Sequence, residues 1–430
     1  MFANIKQLFN PKNRDLQKKV LFTLFVLFIF KLGTAVIVPG IDKSALGDNL
    51  GFLELMNAMG GGAMEKFSIF ALGVMPYITA SIAIQLLQMD IVPYLADLAK
   101  QGQTGKTKLN QITRVLGIIL AFIQGYMFSL AFVSDASAIE YMQIALILTA
   151  GTALLLWLGD QITQKGIGNG ISLIIMAGII ASLPSMFKDA YQALITTSST
   201  QDLFLGIAMF SLFVLIYLGI IVGIIFVQCA ERRLPIQYAN KSSKYGGKQS
   251  YIPFRLNSAG VIPVIFASAL ISIPSIIATF VKNESFQLFV NKWISFNSGT
   301  GFLLYMLLII GFCYFYTFVQ LKPKEMAENL QKQGGYIPGI RPGEETISYV
   351  SRVIKRITFV GAIFLAIIAA LPILFGWLSD LPTSVSIGGT GILIVVGVAL
   401  ETYKQLESQL VSRNYTSKSR FRSRKWKALF

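Results

Sequence analysis

Ten long apolar stretches constrain this chain more than any other feature. Each holds roughly 20 residues, the length of helix that crosses the hydrocarbon core of a bilayer. Inside lipid every backbone N–H and C=O group must be bonded within the segment, so such stretches fold as a bundle of spanning helices. The predicted spans are residues 20–38, 68–89, 115–134, 139–158, 170–187, 204–228, 258–280, 300–320, 353–375 and 385–403.

The composition also indicates an all-α polytopic membrane protein. Apolar residues make up 54% of the chain and charged residues 13%, which is too little charge to cover a soluble surface. The chain contains no histidine, which removes histidine general bases, metal ligands and proton relays. We therefore expect no cofactor and no metal ion.

The distribution of lysine and arginine orients the predicted spans. With the N-terminus in the cytoplasm, 31 of these residues fall in cytoplasmic segments and five fall outside. Cytoplasmic loops of membrane proteins carry such an excess of positive charge. Ten spans then bring both termini to the cytoplasmic side of the cell membrane, where residues 405–430 form a basic tail.

A nine-residue pattern occurs twice in the chain, 187 positions apart. Residues 73–81 and 260–268 both fit G-V-x-P-x-I-x-A-S, and six of the nine positions are identical. Gly and Pro loosen the first turns of a helix, because Gly lacks a Cβ atom and Pro lacks an N–H. Loosened helices at matching places in two halves indicate a central path in a duplicated membrane protein. The alternative is chance, since Gly and Pro are common in membrane helices.

Each copy of the pattern falls in the second span of a five-span half. Because five is odd, the second half runs through the membrane in the opposite direction, which is the inverted-repeat plan. The predicted halves are residues 1–203 and 204–404. The second half carries two long basic loops, 229–256 and 321–352. Pro and Gly in the latter loop predict a rigid projection that suits an acidic or RNA-rich partner.

The predicted path between the halves is almost free of charge. The polar residues within the spans are few and uncharged, among them Thr79, Gln124 and Asn257. These side chains either line the path or form hydrogen bonds between helices. An uncharged path that is narrowed by aliphatic side chains resists ions by dewetting.

A glycine-rich segment lies between the first and second predicted spans. Residues 60–62 are three consecutive glycines, which make a hinge, and apolar residues follow them. The segment either folds back into a cavity inside the protein or forms an ordinary outer loop helix.

Five segments carry a family resemblance that extends over essentially all ten predicted helices. They are residues 60–63 (GGGA), 68–78 (SIFALGVMPYI), 166–172 (GIGNGIS), 257–263 (NSAGVIP) and 338–343 (PGIRPG). Together they resemble the SecY family, the central channel subunit of the bacterial Sec protein translocase.

The resemblance implies a protein-conducting channel. Such a channel passes unfolded secretory polypeptides across the membrane and releases signal sequences and transmembrane segments into lipid through a lateral gate. Its waist would be a ring of aliphatic side chains, Val74, Ile78, Ile175, Ile262, Ile265 and Ile394. The family usually has isoleucine where this chain has valine in the first of these positions. A plug at about residues 57–67 would include Gly60, Gly61, Gly62, Ala63, Met64 and Phe67.

The resemblance also implies a gate and docking surfaces. Spans two and three would face spans seven and eight, where Thr79, Gln124 and Asn257 match the polar cluster of the gate. Arg341 matches the arginine needed for the SecA ATPase motor. Arg232 and Arg233 lie on a loop that meets the motor or the ribosome. The other implied partners are the small membrane subunits SecE and SecG, signal peptides, preproteins and the lipid bilayer.

Two other classes of membrane protein remain as alternatives. A secondary transporter shares the inverted repeat, but it would need a charged group or a substrate site within the spans. A membrane enzyme would need converging acids, a Ser–Lys pair or metal ligands there, and the predicted spans offer none. The chain also lacks the G-x-x-x-x-G-K-[ST] motif, so the energy for transport would come from a partner. We predict that the chain is not an enzyme.

Overall fold

The computed structural model describes residues 13–39, 57, 59–88, 91–133, 137–195, 200–238, 250–280, 284–295, 298–379 and 391–410. Three predicted features lie partly outside these residues. They are the first basic loop at 239–249, the tenth span at 385–390 and the basic tail at 411–430.

Helices make up most of the described chain. In order they are α1 (Arg14–Gly33), α2 (Met75–Leu87), α3 (Pro93–Lys100), α4 (Gly102–Phe132), α5 (Ala138–Lys165), α6 (Gly170–Leu194), α7 (Thr200–Cys229), α8 (Ile262–Phe280), α9 (Glu284–Trp293), α10 (Gly299–Leu321), α11 (Pro323–Lys332), α12 (Glu344–Ser379) and α13 (391–410). Three strands complete the list, namely β1 (Glu231–Tyr238), β2 (Ser250–Arg255) and β3 (Gly335–Tyr336).

A helix occupies each of the ten predicted spans. Among the described residues, six helices are long and apolar enough to cross a membrane: Gly102–Leu130, Ala138–Lys165, Gly170–Leu194, Leu203–Cys229, Gly299–Lys332 and Glu344–Trp377. Two shorter apolar helices are Met75–Leu87 and Ile262–Ser275. The predicted helical, polytopic fold is confirmed. The chain divides into two compact units, residues 1–185 with 398–430 and residues 186–397.

The two helices of the repeated pattern begin later than the apolar stretches predict. The second predicted span starts at residue 68, but α2 begins at Met75, and α8 begins at Ile262 rather than 258. In each case the glycine of the pattern has left-handed backbone, with φ of +56° at Gly73 and +65° at Gly260. A right-handed helix cannot continue through such a residue. The proline is the second helical residue, where its missing N–H costs no helical hydrogen bond.

The segment between the second and third predicted spans is folded rather than a simple loop. α4 begins at Gly102, well before the predicted third span, and packs against α3. Together with α2, the two helices form a small buried apolar cluster, Ile84, Leu95, Leu98 and Leu109. Their backbones approach so closely that a Cβ atom on Gly105 would overlap the carbonyl oxygen of Leu98. The distribution of lysine and arginine, which was used to orient the spans, does not predict the packing of α3 against α4.

The two basic loops of the second unit form one small domain around a sheet. Its strand order is β2-β1-β3, and both pairings are antiparallel. Along β1, buried Leu234 and Ile236 alternate with exposed Arg233 and Pro235. The buried side packs on α11 and the first turns of α12, and the shared core is Leu234, Ile236, Phe254, Leu330, Ile337, Val350, Val353, Ile354 and Ile357. We call these strands, α11 and the start of α12 the sheet module.

Candidate functional site

The aliphatic side chains expected at the waist occur in both units. The first unit contains Val74, Ile78 and Ile175, and the second contains Ile262, Ile265 and Ile394. Val74, Ile78, Ile175 and Ile394 are buried, whereas Ile262 and Ile265 are half-buried. None of the six is therefore among the exposed apolar side chains of the described spans. Their arrangement as one ring stays a prediction.

The repeated pattern gives two of these residues the same local setting. Ile78 follows Pro76 by two positions, and Ile265 follows Pro263 by two positions, each in the first turns of its helix. In the first unit the turn is held by α5, because the Thr152 hydroxyl donates a buried hydrogen bond of 3.3 Å to the Gly73 carbonyl. Matching Gly and Pro residues therefore place an isoleucine at the same position in the first turns of each helix.

The three polar residues of the expected gate differ in how their hydrogen bonds are met. The Thr79 hydroxyl donates to the Met75 carbonyl of its own helix at 3.1 Å. The side-chain amide of Asn257 donates to the Gly260 carbonyl at 2.9 Å. The side-chain oxygens of Gln124 and Asn257 are buried, and neither accepts a hydrogen bond from any described residue. A buried acceptor without a donor costs about 1–3 kcal/mol.

The glycine-hinged segment, residues 57–67, folds back into the first unit. The structure describes residue 57 and residues 59–67 of it, and the buried side chains are Met59, Ala63, Met64 and Phe67. Glu65 and Lys66 are exposed. Left-handed backbone at Gly61 and Gly62, with φ of +70° and +82°, makes the turn that reverses the chain. Of the two arrangements open from the sequence, the folded-back one is observed.

Backbone hydrogen bonds shape this segment and join its C-terminal end to the residues after α1. Within it, the Gly62 N–H donates to the Asn57 carbonyl at 2.9 Å, and the Ser68 N–H donates to the Ala63 carbonyl at 2.9 Å. The Val38 N–H donates to the Phe67 carbonyl at 3.1 Å, which joins the segment to the residues after α1. The Phe67 ring also meets the Phe132 ring of α4 edge-on, with centroids 6.3 Å apart.

Arg341 lies in a tight turn on the sheet module. Its side chain is exposed, while Ile337 at the start of the turn is buried in the module core. Left-handed Gly339 and Gly343, with φ of +82° and +110°, bracket the arginine. The Thr346 hydroxyl donates to the Arg341 carbonyl at 2.8 Å. The rigid projection predicted for residues 338–343 is therefore present and is anchored to α12.

Arg232 and Arg233 lie next to each other on β1, and both are exposed. Arg233 Nη2 lies 2.7 Å from a carboxylate oxygen of Glu231, and its guanidinium lies 4.8 Å from the centre of the Tyr251 ring. The hydrogen bond from Arg233 to the Glu231 carboxylate raises the pKa of this guanidinium, so its charge is constant at every physiological pH. The sheet module thus carries three exposed arginines of the predicted docking set.

One ion pair at the edge of the predicted spans was not anticipated from the sequence. Arg114 of α4 pairs with Asp160 of α5; the arginine is exposed and the aspartate is partly buried. Arg114 was included in the count of positive charges, but that count contains no information on its pairing with Asp160. The pair joins α4 to α5 near the ends of the predicted third and fourth spans.

Comparison with known proteins assigns the family. The SecY family profile matches residues 68–403. The protein translocase subunit SecY of Halalkalibacterium halodurans is 49% identical over 428 residues, which cover 96% of this chain and 99% of that relative.

Two solved structures are similar in fold. The description of one states that the plug domain of the SecY protein stabilises the closed state of the translocation channel and maintains a membrane seal. This structure aligns with a TM-score of 0.65 at 19% identity, covering 92% of this chain and 93% of that one. The other is Sec61 in the canine ribosome–channel complex from the endoplasmic reticulum, with a TM-score of 0.63 at 18% identity and the same coverage.

The structural likeness, at these low identities, shows the fold, and the sequence relationship shows the family. The profile spans most of the chain, and the bacterial relative is similar over nearly its whole length. The protein is a bacterial multi-pass membrane protein, and it belongs to the SecY family.

Proposed function

We propose that this chain is the protein-conducting subunit of a bacterial translocase. It passes unfolded secretory polypeptides across the membrane and releases signal sequences and transmembrane segments sideways into lipid. The observation that carries the proposal is the pair of matched Gly–Pro helix starts, which place Ile78 and Ile265 at the same position in the first turns of their helices. The chain acts as a channel and not as an enzyme or a solute transporter.

A ring of aliphatic side chains explains how such a channel conducts polypeptide without leaking ions. The six ring residues have no charge and no hydrogen-bonding groups, so water and ions gain nothing in the constriction. Flexible methyl groups also accommodate side chains of any shape. We propose that the halves at 1–203 and 204–404 are inverted repeats that meet at this ring, which the matched helix starts support.

Release into lipid follows from the free energy of transfer. A signal sequence has an apolar core of about 7–15 residues. Each Leu or Ile in it gains about 0.3–0.6 kcal/mol at the centre of the bilayer. A lateral opening lined by α2, α4, α8 and α10 would therefore let an apolar segment move from the channel into lipid without an additional source of energy. Thr79, Gln124 and Asn257 are the polar residues that we assign to this gate.

The glycine-hinged segment is proposed as the plug that seals the channel at rest. Its burial and the attachment of its C-terminal end support the assignment, and the plug domain of a SecY protein of similar fold is described as maintaining a membrane seal. The proposed plug residues are Gly60, Gly61, Gly62, Ala63, Met64 and Phe67.

The partners follow from the family and from the sheet module. We propose that both termini and the sheet module lie in the cytoplasm, in agreement with the distribution of positive charge. Arg232, Arg233 and Arg341 would then contact the SecA motor or the ribosome, as Sec61 does in its ribosome complex. SecE and SecG are the proposed small membrane partners.

Replacing Gln124 by Met tests the gate assignment. The substitution keeps the length of the side chain and removes a buried acceptor that has no described donor. Because the penalty of about 1–3 kcal/mol is relieved in the resting state, opening becomes harder. We expect import of precursors with weakly apolar signal sequences to fall by about tenfold, since each 1.4 kcal/mol is a factor of ten.

Precursors with strongly apolar signal sequences should be much less affected by Gln124→Met. Gln111→Met is the matched control, because Gln111 is an exposed glutamine of the same helix. Equal import of both kinds of precursor by Gln124→Met and the parent would contradict the gate assignment.

Reconstitution tests the function as a whole. Vesicles that contain this chain with SecE, SecG, SecA and ATP are expected to take up a secretory precursor into a protease-protected space. The matched control is vesicles that contain every component except this chain. Uptake that does not depend on this chain would refute the proposed function.

A further inference from the structure

Two glycines bring the glycine-hinged segment into backbone contact with α6. A Cβ atom on Gly178 would overlap the Met59 carbonyl oxygen and would lie 2.8 Å from the Met59 carbonyl carbon. A Cβ atom on Gly61 would lie 3.2 Å from the Gly178 Cα atom and 3.3 Å from the Gly178 oxygen. Because Cβ atoms do not approach this closely, only glycine at residue 178 allows the segment to pack here.

A charged side chain also contacts Gly61. Lys31, at the end of α1, donates a hydrogen bond from Nζ to the Gly61 carbonyl at 3.4 Å. Gly61 also has φ of +70°, which residues with a side chain rarely adopt, and a Cβ atom there would crowd the backbone of α6. The turn of the segment thus contacts both the backbone of α6 and the end of α1.

The contact lies next to a residue of the predicted waist. Ile175 precedes Gly178 by three positions on α6, which is about 4.5 Å along the helix and on nearly the same face. Residues of the segment that flank the contact, Met59 and Met64, are buried. A segment held at Gly178 therefore packs within one turn of the proposed constriction.

We propose that Gly178 is the seat of the glycine-hinged segment and that Lys31 is its latch. Both are positioning residues, and together they set the fraction of channels whose segment is seated. The proposal rests on the proposed function in one respect, because it takes the segment to be the plug. Release would need the Gly61 carbonyl to part from Lys31 and the Met59 backbone to leave α6.

Thiol labelling measures the seated fraction directly. The chain's own cysteines, Cys229 and Cys313, are free and would first be replaced by serine. The reporter is Met64→Cys, because Met64 is only 1% exposed when the segment is seated. The purified chain in lipid vesicles would be treated with a water-soluble maleimide and no precursor.

We expect Gly178→Ala to raise the labelling rate of the reporter. An added methyl group in this close contact shifts the equilibrium between the seated and the released segment by about tenfold or more. Gly219→Ala is the matched control, since it is also a glycine in a long apolar helix but has nothing within 4 Å of its Cβ position. The control should label at the parent rate. Equal rates for Gly178→Ala and Gly219→Ala would overturn the seat.

The latch has its own pair of variants. Lys31→Met keeps the length of the chain but removes the donor, so labelling should rise, and Lys31→Arg should restore a rate near that of the parent. Unchanged labelling in Lys31→Met would overturn the latch. If Gly178→Ala gives no folded protein, the lysine pair decides the proposal.

Resting ion conductance of the same variants separates this proposal from the plug assignment. Faster labelling together with higher conductance would support both. Faster labelling with unchanged conductance would support the seat and refute the plug assignment.

Discussion

Deleting residues 57–67 is expected to raise the resting ion conductance of the channel by at least about tenfold. A loss of about 1.4 kcal/mol in the free energy that favours the sealed state already gives that factor. The deletion removes the buried side chains Met59, Ala63, Met64 and Phe67. Burial of a Met or Phe side chain stabilises the seated state by about 1.5–3 kcal/mol. Single-channel recording in planar bilayers without a precursor would measure the effect.

The control for the deletion is a change on the exposed side of the same segment. Glu65 and Lys66 are exposed, so replacing both by serine removes two charges without disturbing the buried packing. This variant should conduct as little as the parent. A deletion variant that remains as tight as the parent would rule out the plug assignment, whatever its import activity.

Arg341→Glu is expected to abolish import driven by the motor. The arginine is exposed at the tip of a turn that two left-handed glycines and a buried isoleucine hold in place. Loss of one partner from a buried interfacial charge pair costs about 2–5 kcal/mol, so the initial rate should fall by roughly 30-fold or more. The measurement is ATP-dependent uptake of a precursor by reconstituted vesicles.

The folded state of Arg341→Glu should be unaffected, because only the backbone carbonyl of Arg341 is used within the module. Lys332→Glu is the matched control. It makes the same change of charge at an exposed position on α11 of the same module. Normal motor-driven import by Arg341→Glu would remove this arginine from the docking surface.

Much of the architecture could be predicted because membrane helices are specified by local sequence. A helix occurs at each predicted span, since in lipid an apolar stretch of that length has no other way to bond its backbone. The helix starts of the repeated pattern could not be read from hydrophobicity. Residues 68–74 are as apolar as the helix that follows, and only the left-handed conformation of Gly73 separates the two.

The features that sequence reasoning missed depend on contacts between distant residues. The pairing of β1 with β3 joins segments on either side of α8 and α10. Alternation of Leu234 and Ile236 with polar residues was the available signal for β1, but it covers few positions. The contact of Gly61 with Gly178 has no sequence signature, because either glycine alone resembles many others in membrane helices.

Force applied to the sheet module would be carried into the membrane without a hinge. Val350, Val353 and Ile354 belong to the module core and to α12 at the same time. Before its interior proline, Pro372, α12 runs for 28 residues from Glu344 to Leu371, which is about 42 Å of helix. A protein that pushes on the turn at residues 338–343 would therefore transmit force along α12 into the predicted ninth span. Work done on the sheet module would tilt this part of α12, because no flexible connection lies between the module core and the helix.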